Sequence, residues 1–135
     1  MYSNILVPVA FDHDRDLSEA LSVAKTLAAE GAKITALHVV EEMPSYVLQY
    51  LPDGQMADNQ AMLIEQLTTE LGENTDITPV VISGQAGHSI NEYAADNDID
   101  CIIVASHKPG LQDFFLGSTA ARVVRHAHCA VHVCR

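Results

Sequence analysis

The chain has 135 residues, of which 18 are acidic and 7 basic, so its formal net charge at pH 7 is −11. A polyanion would meet net repulsion, which disfavours non-specific binding to nucleic acid or to an anionic membrane. Hydrophobic residues make up 48% of the chain and aromatic residues 5%. This composition argues against a disordered chain and against a single-strand binder with stacking platforms, and the length predicts one domain over residues 1–135.

The first ten residues, MYSNILVPVA, lack the basic stretch, long apolar core and cleavage site of a signal peptide. No apolar run approaches the roughly 18 residues of a membrane helix. The three cysteines, Cys101, Cys129 and Cys134, are an odd number at spacings unlike those of zinc ligands. We therefore expect buried thiols in a reducing compartment, a cytoplasmic location and no membrane partner.

Strand-like and helix-like segments alternate along the chain. The apolar run Asn4–Ala10 predicts a strand that is buried on both faces and ends near Pro8, which cannot donate a ladder hydrogen bond. The pattern at 16–19 is that of a capping box, and the apolar stripe after it predicts a helix that runs to Gly31. A second strand is expected over Lys33–Val40.

The irregular stretch 41–54 contains two prolines and no clean period. Loops of that length in a compact domain are often functional. Leucines spaced by four predict a helix from about Gln55 to Gly72, and a strand over Ile77–Ser83 follows it. The turn at 84–87 then leads into a short helix.

Three further segments continue the alternation. They are a strand over Asp100–Ser106, a helix that Ser118 can cap and that ends near His126, and a strand over Ala130–Cys134. Five strands and four helices in this order predict a three-layer α/β fold with a doubly wound, five-stranded parallel sheet. Ligands of such sheets bind outside the carboxyl ends of the strands, where the strand order reverses.

The loop before the last helix ends in Gly117, Ser118 and Thr119. The first N–H groups of a helix have no partner within it, and together with the helix dipole they bind anions. Gly117 would let the backbone approach a phosphate closely. The alternative is that Gly-Ser forms only a turn and a helix cap, a common arrangement.

Other chemical motifs are missing from the sequence. It contains no G-x-G-x-x-G after the first strand, no P-loop and no G-x-S-x-G elbow, which argues against a dinucleotide dehydrogenase, a P-loop NTPase and a hydrolase. Histidines and cysteines gather at 126–134, but only His128 and His132 have a spacing seen in zinc ligands, so no metal site is predicted. His107 would add positive charge beside a phosphate when protonated.

The whole chain resembles the universal stress proteins, small cytoplasmic α/β proteins many of which bind ATP. The resemblance runs from ILVPVA through the apolar strand at 101–105 and the loop ending in LGST to the closing RHAHCAVHVCR. It is closest to the single-domain F and G type members of enterobacteria, which have a similar ASH-x-P segment and an LGS followed by a VVRHA-like helix. The fold that it implies is Rossmann-like, of the adenine nucleotide alpha hydrolase type.

The family's nucleotide motif has two glycines three residues apart and, further on, a Gly-Ser or Gly-Thr pair. Gly117 and Ser118 match that pair, whereas Ala105 and Lys108 stand where the glycines are expected. The family commonly ends its first strand in Asp near the ribose, and this chain has Ala10 there. Losing such a carboxylate removes a bond of about 1.5–3 kcal/mol, while Lys108 would offset part of the repulsion between the acidic chain and a triphosphate.

The resemblance implies a site for each part of an adenine nucleotide. Adenine would lie near Pro8, Val9, Val39 and Val104, the ribose near Ala10 and Ala105, and the phosphates on Lys108, Gly117, Ser118 and Thr119. The other nucleotide-binding residues expected in the loop are Ser106, His107 and Gly110. From the residues alone, Val39 and Val104 would be ordinary buried strand residues and Lys108 an ordinary solvated one.

The last strand, Ala130–Cys134, is short and terminal, so it is expected at an edge of the sheet with unpaired backbone groups. In universal stress proteins this strand pairs with its two-fold mate, which implies a homodimer here, with Val131 and Val133 supplying an apolar face. A monomer whose edge is covered by solvent or a loop is the alternative.

The leading hypothesis is a stress-response protein that binds adenine nucleotide as a regulatory ligand: ATP, with Mg²⁺, or AMP or ADP. No base or nucleophile is placed for catalysis, so no catalytic residue is predicted and the chain would at most hydrolyse ATP slowly. Two alternatives stay open: an interaction module of the same fold that binds no nucleotide, and an enzyme, either a nucleotide hydrolase or a redox thiol protein.

Overall fold

The computed structural model describes residues 1–10, 17–41, 46, 49–50, 54–74, 76–105 and 117–134. In chain order the elements are β1 (Tyr2–Pro8), α1 (Leu17–Leu27), β2 (Ala28–Glu41), α2 (Gln55–Leu71), β3 (Ile77–Gly84), α3 (Ala86–Asp96), β4 (Cys101–Ala105), α4 (Ser118–His126) and β5 (Ala130–Cys134). The predicted five strands and four helices are thus all present in this part of the chain. None of these helices is long and apolar enough to span a membrane.

The five strands form one sheet in the order β3-β2-β1-β4-β5, and every neighbouring pair is parallel. The chain moves outward from β1 through β2 to β3, then crosses back to β4 and continues to β5. The strand order therefore reverses between β1 and β4. This confirms the doubly wound sheet and marks where a ligand of such a sheet would bind.

Helices cover both faces of the sheet, and each face has its own core. In β1, Ile5 and Leu6 point to opposite faces and both are fully buried, as the continuous apolar run predicts. The first core joins the sheet to α1 and α2 through residues such as Leu21 and Leu67. The second core joins it to α3 and α4 through residues such as Ile90.

One predicted boundary is wrong. The first helix was expected to run to Gly31, but α1 ends at Leu27 and β2 begins at Ala28. Ala28 pairs with Tyr2, and the next register pair is Lys33 with Asn4, so β2 carries an irregularity in between, where Gly31 has a φ of 75°. Ala28 does pack inward as the apolar stripe implied, but a short apolar run does not distinguish a helix from a strand.

Smaller differences occur at other element ends. The N-cap of α4 is Gly117, and Ser118 is the first helical residue, so the prediction that Ser118 is the cap is wrong. β4 begins at Cys101 rather than at the predicted Asp100. The carboxylate of Asp100 accepts the N–H groups of Ser3, at 2.8 Å, and Asn4, at 3.0 Å. The capping box at 16–19 has its first residue outside the described part of the chain.

Candidate functional site

The opening of α4 lies at the carboxyl edge of the sheet. β5 starts level with the first residue of β4, since Ala130 is the register partner of Cys101. Only residues 127–129 separate α4 from β5, so α4 ends at the amino edge and begins at the carboxyl edge. The amino end of α4 is therefore at the edge where β1 and β4 finish, next to the reversal of strand order.

Gly117, Ser118 and Thr119 form that opening. Gly117 is half-buried with an extended backbone, and no side chain in the described part of the chain caps the helix. Ser118 and Thr119 are exposed, and their N–H groups have no acceptor among the residues that the structure describes. Two amide donors and two hydroxyl groups are thus available to an anion, and the helix dipole favours negative charge there.

The predicted adenine residues are divided between the two faces of the sheet. Val39 is half-buried and Val104 is 3% exposed, and both belong to the core under α3 and α4. Val9 packs into the opposite core, beneath α1 and α2. A base lying on the face of Val39 and Val104 could meet the backbone of Val9 but not its side chain.

The remaining predicted residues lie at the ends of β1 and β4 or beyond. Pro8 is half-buried. Ala10 and Ala105 are exposed at the carboxyl edge of the sheet. The structure thus places Ala10 and Ala105 on the two strands that flank the reversal point. The loop residues Ser106, His107, Lys108 and Gly110 lie outside the described residues, and their roles stay predictions.

His38 is a residue of this edge that the sequence analysis did not single out. Its ring Nδ1 lies 2.8 Å from the backbone oxygen of Val9, and the Val9 N–H donates to the oxygen of Leu37 at 2.7 Å. Both backbone groups of Val9 are therefore held by β2. A histidine between the apolar residues ending the strand KITALHVV was the available signal.

The contact between α3 and α4 also escaped the sequence analysis. Gly87, in the first turn of α3, is buried against the side chain of Arg122 on α4. One turn further along, the Asn91 side-chain amide lies 3.4 Å from the backbone oxygen of Arg122, at the weak limit of a hydrogen bond. The Oδ1 atom of Asn91 is buried without a partner in the described part of the chain.

The cysteines are poorly suited to redox chemistry. Burial, with smaller contributions from Cys129 and Asp100, raises the pKa of Cys101 to about 11. Burial also raises the pKa of Cys129 and of Cys134. Cys101 and Cys134 are buried as expected, whereas Cys129 is only half-buried. Because the thiolate is the reactive form, these shifts disfavour a redox thiol protein.

Metal ligands do not gather at this edge among the residues that can be described. No group of three or more histidine, cysteine, aspartate or glutamate side chains in that part of the chain could hold a metal ion. The exposed His88 pairs with Glu92 at 3.1 Å along α3. That pair is an ordinary interaction between neighbouring turns of one helix.

Comparison with known proteins identifies the family. A sequence model described as the universal stress protein family matches residues 1–135. The chain belongs to the universal stress protein family. "Universal stress protein A homolog 2" of Coxiella burnetii is 32% identical over 139 residues, covering 96% of this chain and 92% of that protein. The resemblance found in the sequence is thereby confirmed, and the F and G type assignment stays a prediction.

Solved structures show the same fold. Universal stress protein UspA from Lactobacillus plantarum is 28% identical, with a TM-score of 0.68 and coverage of 99% of this chain and 98% of that one. An Arabidopsis thaliana member of the family, whose structure has AMP bound, is 19% identical with a TM-score of 0.61 and coverage of 97% and 90%. At that identity the Arabidopsis protein is evidence of fold alone.

Proposed function

We propose that this universal stress protein binds an adenine nucleotide at the carboxyl edge between β1 and β4, as a regulatory ligand. ATP is the proposed ligand, with AMP and ADP as weaker ones. The observation that carries the proposal is the opening of α4, where the amides of Ser118 and Thr119, which have no acceptor among the described residues, lie beside the reversal of strand order. This arrangement suits a phosphate.

The apolar half of a nucleotide also has a suitable surface. Val39 and Val104 lie on the same face of the sheet as α4, on strands either side of β1. Val104 is only 3% exposed, so a base would rest on the half-buried Val39, with Val104 behind it in the core and its phosphates toward the opening of α4. The relative from Arabidopsis thaliana holds AMP, a ligand with this same pairing of adenine and phosphate.

Mg²⁺ would accompany the triphosphate rather than occupy a site built by the protein. Ala10 has no carboxylate to offer, and Ser118 and Thr119 supply hydroxyl groups. Magnesium usually keeps several waters and binds through substrate phosphates together with one or two protein oxygens. When bound, the ion would neutralise charge on the triphosphate, which matters for a chain of net charge −11.

A cytoplasmic homodimer is the proposed assembly. β5 is an edge strand, as predicted, and its exposed His132 lies between the half-buried Val131 and Val133. Both valines pack partly against the second core of their own chain, so pairing of edge backbones would contribute most of the contact. A mass in solution of twice the chain mass would support this assembly, and a single-chain mass at high concentration would contradict it.

Calorimetric titration tests the nucleotide proposal. ATP, AMP and adenosine are titrated separately, with and without Mg²⁺, and melting is followed in parallel. The expected order of affinity is ATP above AMP above adenosine, because the opening of α4 acts on phosphate. Absence of both heat and thermal shift at millimolar ATP would remove the proposal.

An interaction module that binds no nucleotide is the second candidate. It is favoured by Ala10 and Ala105, which place exposed methyl groups at the ends of the two strands flanking the reversal point. Two results together would support this candidate instead. Calorimetric titrations with the nucleotides would release no heat, and the absorbance of the purified protein at 260 nm would show no bound adenine.

A further inference from the structure

The two helices on the second face of the sheet both begin at its carboxyl edge. Only Gln85 separates the end of β3 from α3, so α3 starts directly at that edge. The opening of α4 lies at the same edge, because α4 ends where β5 begins, at the amino edge. The distance between the first turns of α3 and α4 therefore determines where the amides of Ser118 and Thr119 sit relative to the sheet.

Gly87 sets that distance. A Cβ atom at this position would lie 2.7 Å from Cδ, 2.9 Å from Cβ and 3.0 Å from Cγ of Arg122. Distances below 3.0 Å between such carbons are not tolerated, and the Cβ of Arg122 cannot rotate away because its position follows the helix backbone. A methyl group at position 87 would thus push the two helices apart.

The start of α3 is held in place from the other side. A Cβ on Gly84, at the end of β3, would overlap the side-chain oxygen of Ser89, so the strand end and the first turns of α3 are in close contact. Since only one residue joins α3 to its strand, we expect α4 to be the helix that moves.

We propose that Gly87 is a positioning residue for the phosphates of the bound nucleotide. It touches no ligand and acts through Arg122, which lies five residues, or roughly 7.5 Å of helix, from Gly117. A helix moves as a unit over that length, so a displacement at Arg122 would carry the amides of Ser118 and Thr119 with it. The inference rests on the proposed function and adds to it the residue that positions its anion-binding helix.

The choice of glycine at this position itself points to packing. Glycine within a helix is less stable than alanine, so its presence in the first turn of α3 requires a compensating reason. Gly87 is buried and has no left-handed backbone angle, which leaves the close approach of Arg122 as that reason.

The test is the variant Gly87→Ala, titrated with ATP, AMP and adenosine in the presence of Mg²⁺. The affinities for ATP and AMP are expected to fall about tenfold, because hydrogen-bond donors displaced by a fraction of an ångström no longer fit the phosphate. The affinity for adenosine is expected to change less than about twofold. A role in stability alone would lower all three affinities together.

A double substitution provides the matched control. Arg122→Gly removes Cβ, Cγ and Cδ, all three carbons that a methyl group at position 87 would meet. Gly87→Ala combined with Arg122→Gly should therefore bind ATP nearly as well as Arg122→Gly alone. Melting temperatures of all three variants show whether each is folded, and the double variant tests the proposal even where Gly87→Ala folds poorly.

Each outcome decides something. If the unsubstituted protein binds ATP and Gly87→Ala binds it equally well, the positioning role is wrong while the nucleotide proposal stands. The positioning role is also wrong if Gly87→Ala lowers the affinity for adenosine as much as that for ATP, or if adding Arg122→Gly to Gly87→Ala does not restore ATP binding to the level of Arg122→Gly alone. If the unsubstituted protein binds no nucleotide, both proposals fall together.

Discussion

The ring Nδ1 of His38 donates across the β1–β2 pair to the backbone oxygen of Val9, at 2.8 Å. This bond and the one from the Val9 N–H to Leu37 fix the backbone just beyond the end of β1. That backbone leads directly into Ala10, the residue predicted to lie near the ribose. His38 is therefore placed to support the nucleoside half of the proposed site, as Gly87 supports the phosphate half.

Replacing His38 by Leu is expected to lower the affinities for ATP and for adenosine by the same few-fold factor, because the change affects the part of the site that would bind the nucleoside. Loss of the hydrogen bond should also lower the free energy of unfolding by about 1 kcal/mol, measured by urea denaturation. His38→Asn, whose amide can occupy the position of Nδ1, is the conservative control and should recover part of both losses. A loss confined to ATP would contradict this role.

Replacing Ala10 by Asp is expected to strengthen binding of both ATP and adenosine. A carboxylate that accepts ribose hydroxyl groups contributes about 1.5–3 kcal/mol, which corresponds to roughly ten- to a hundredfold in affinity. Position 10 is exposed, so the added charge stays solvated and the melting temperature should hardly change. Ala95→Asp, on the exposed face of α3, adds the same charge away from the proposed site and should not improve binding.

Replacing Lys108 by Ala tests the part of the site that is predicted from the sequence. ATP affinity should fall several-fold, adenosine affinity should stay the same, and the difference should shrink as salt screens the charge. Lys33→Ala is the matched control, because Lys33 is exposed at the start of the β1–β2 pairing, at the opposite edge of the sheet. If the substitution lowered the affinities for ATP and adenosine equally, a phosphate contact by Lys108 would be refuted.

The thiol of Cys101 is expected to be unreactive in the folded protein at pH 8. Its pKa is raised to about 11, chiefly by burial, so the thiolate is scarce at that pH. A coloured disulfide reagent should therefore react with Cys101 only after denaturant is added, with mass spectrometry identifying the labelled residue. Labelling of Cys101 as rapid in the native protein as in denaturant would contradict this expectation.

The same pKa shift makes stability depend on alkaline pH. The unfolded chain ionises its thiol near the ordinary value of 9.0, whereas the folded protein retains the proton until about pH 11. The contribution of Cys101 is thus complete below pH 9 and is lost as the pH rises toward 11. Urea denaturation across this range should show a fall in unfolding free energy that is smaller in Cys101→Ala.

Local pattern was sufficient to predict most of the fold. Continuous apolar runs marked β1 and β4 as strands buried on both faces, and the alternation of elements predicted the parallel sheet and its edge strand. The Gly-Ser pair before α4 predicted a helix opening at the carboxyl edge, and the motifs spread along the chain identified the family. These features depend on the spacing of residue types along the chain, which the sequence displays directly.

Only the tertiary structure decided which residues meet across the sheet. It ended α1 at Leu27 because Ala28 pairs with Tyr2, a contact between residues 26 positions apart. It put the side chain of Val9 on the face opposite Val39, and it brought Gly87 against Arg122. Periodicity describes how one segment is oriented, whereas these relationships depend on how two distant segments pack, and no local pattern contains that information.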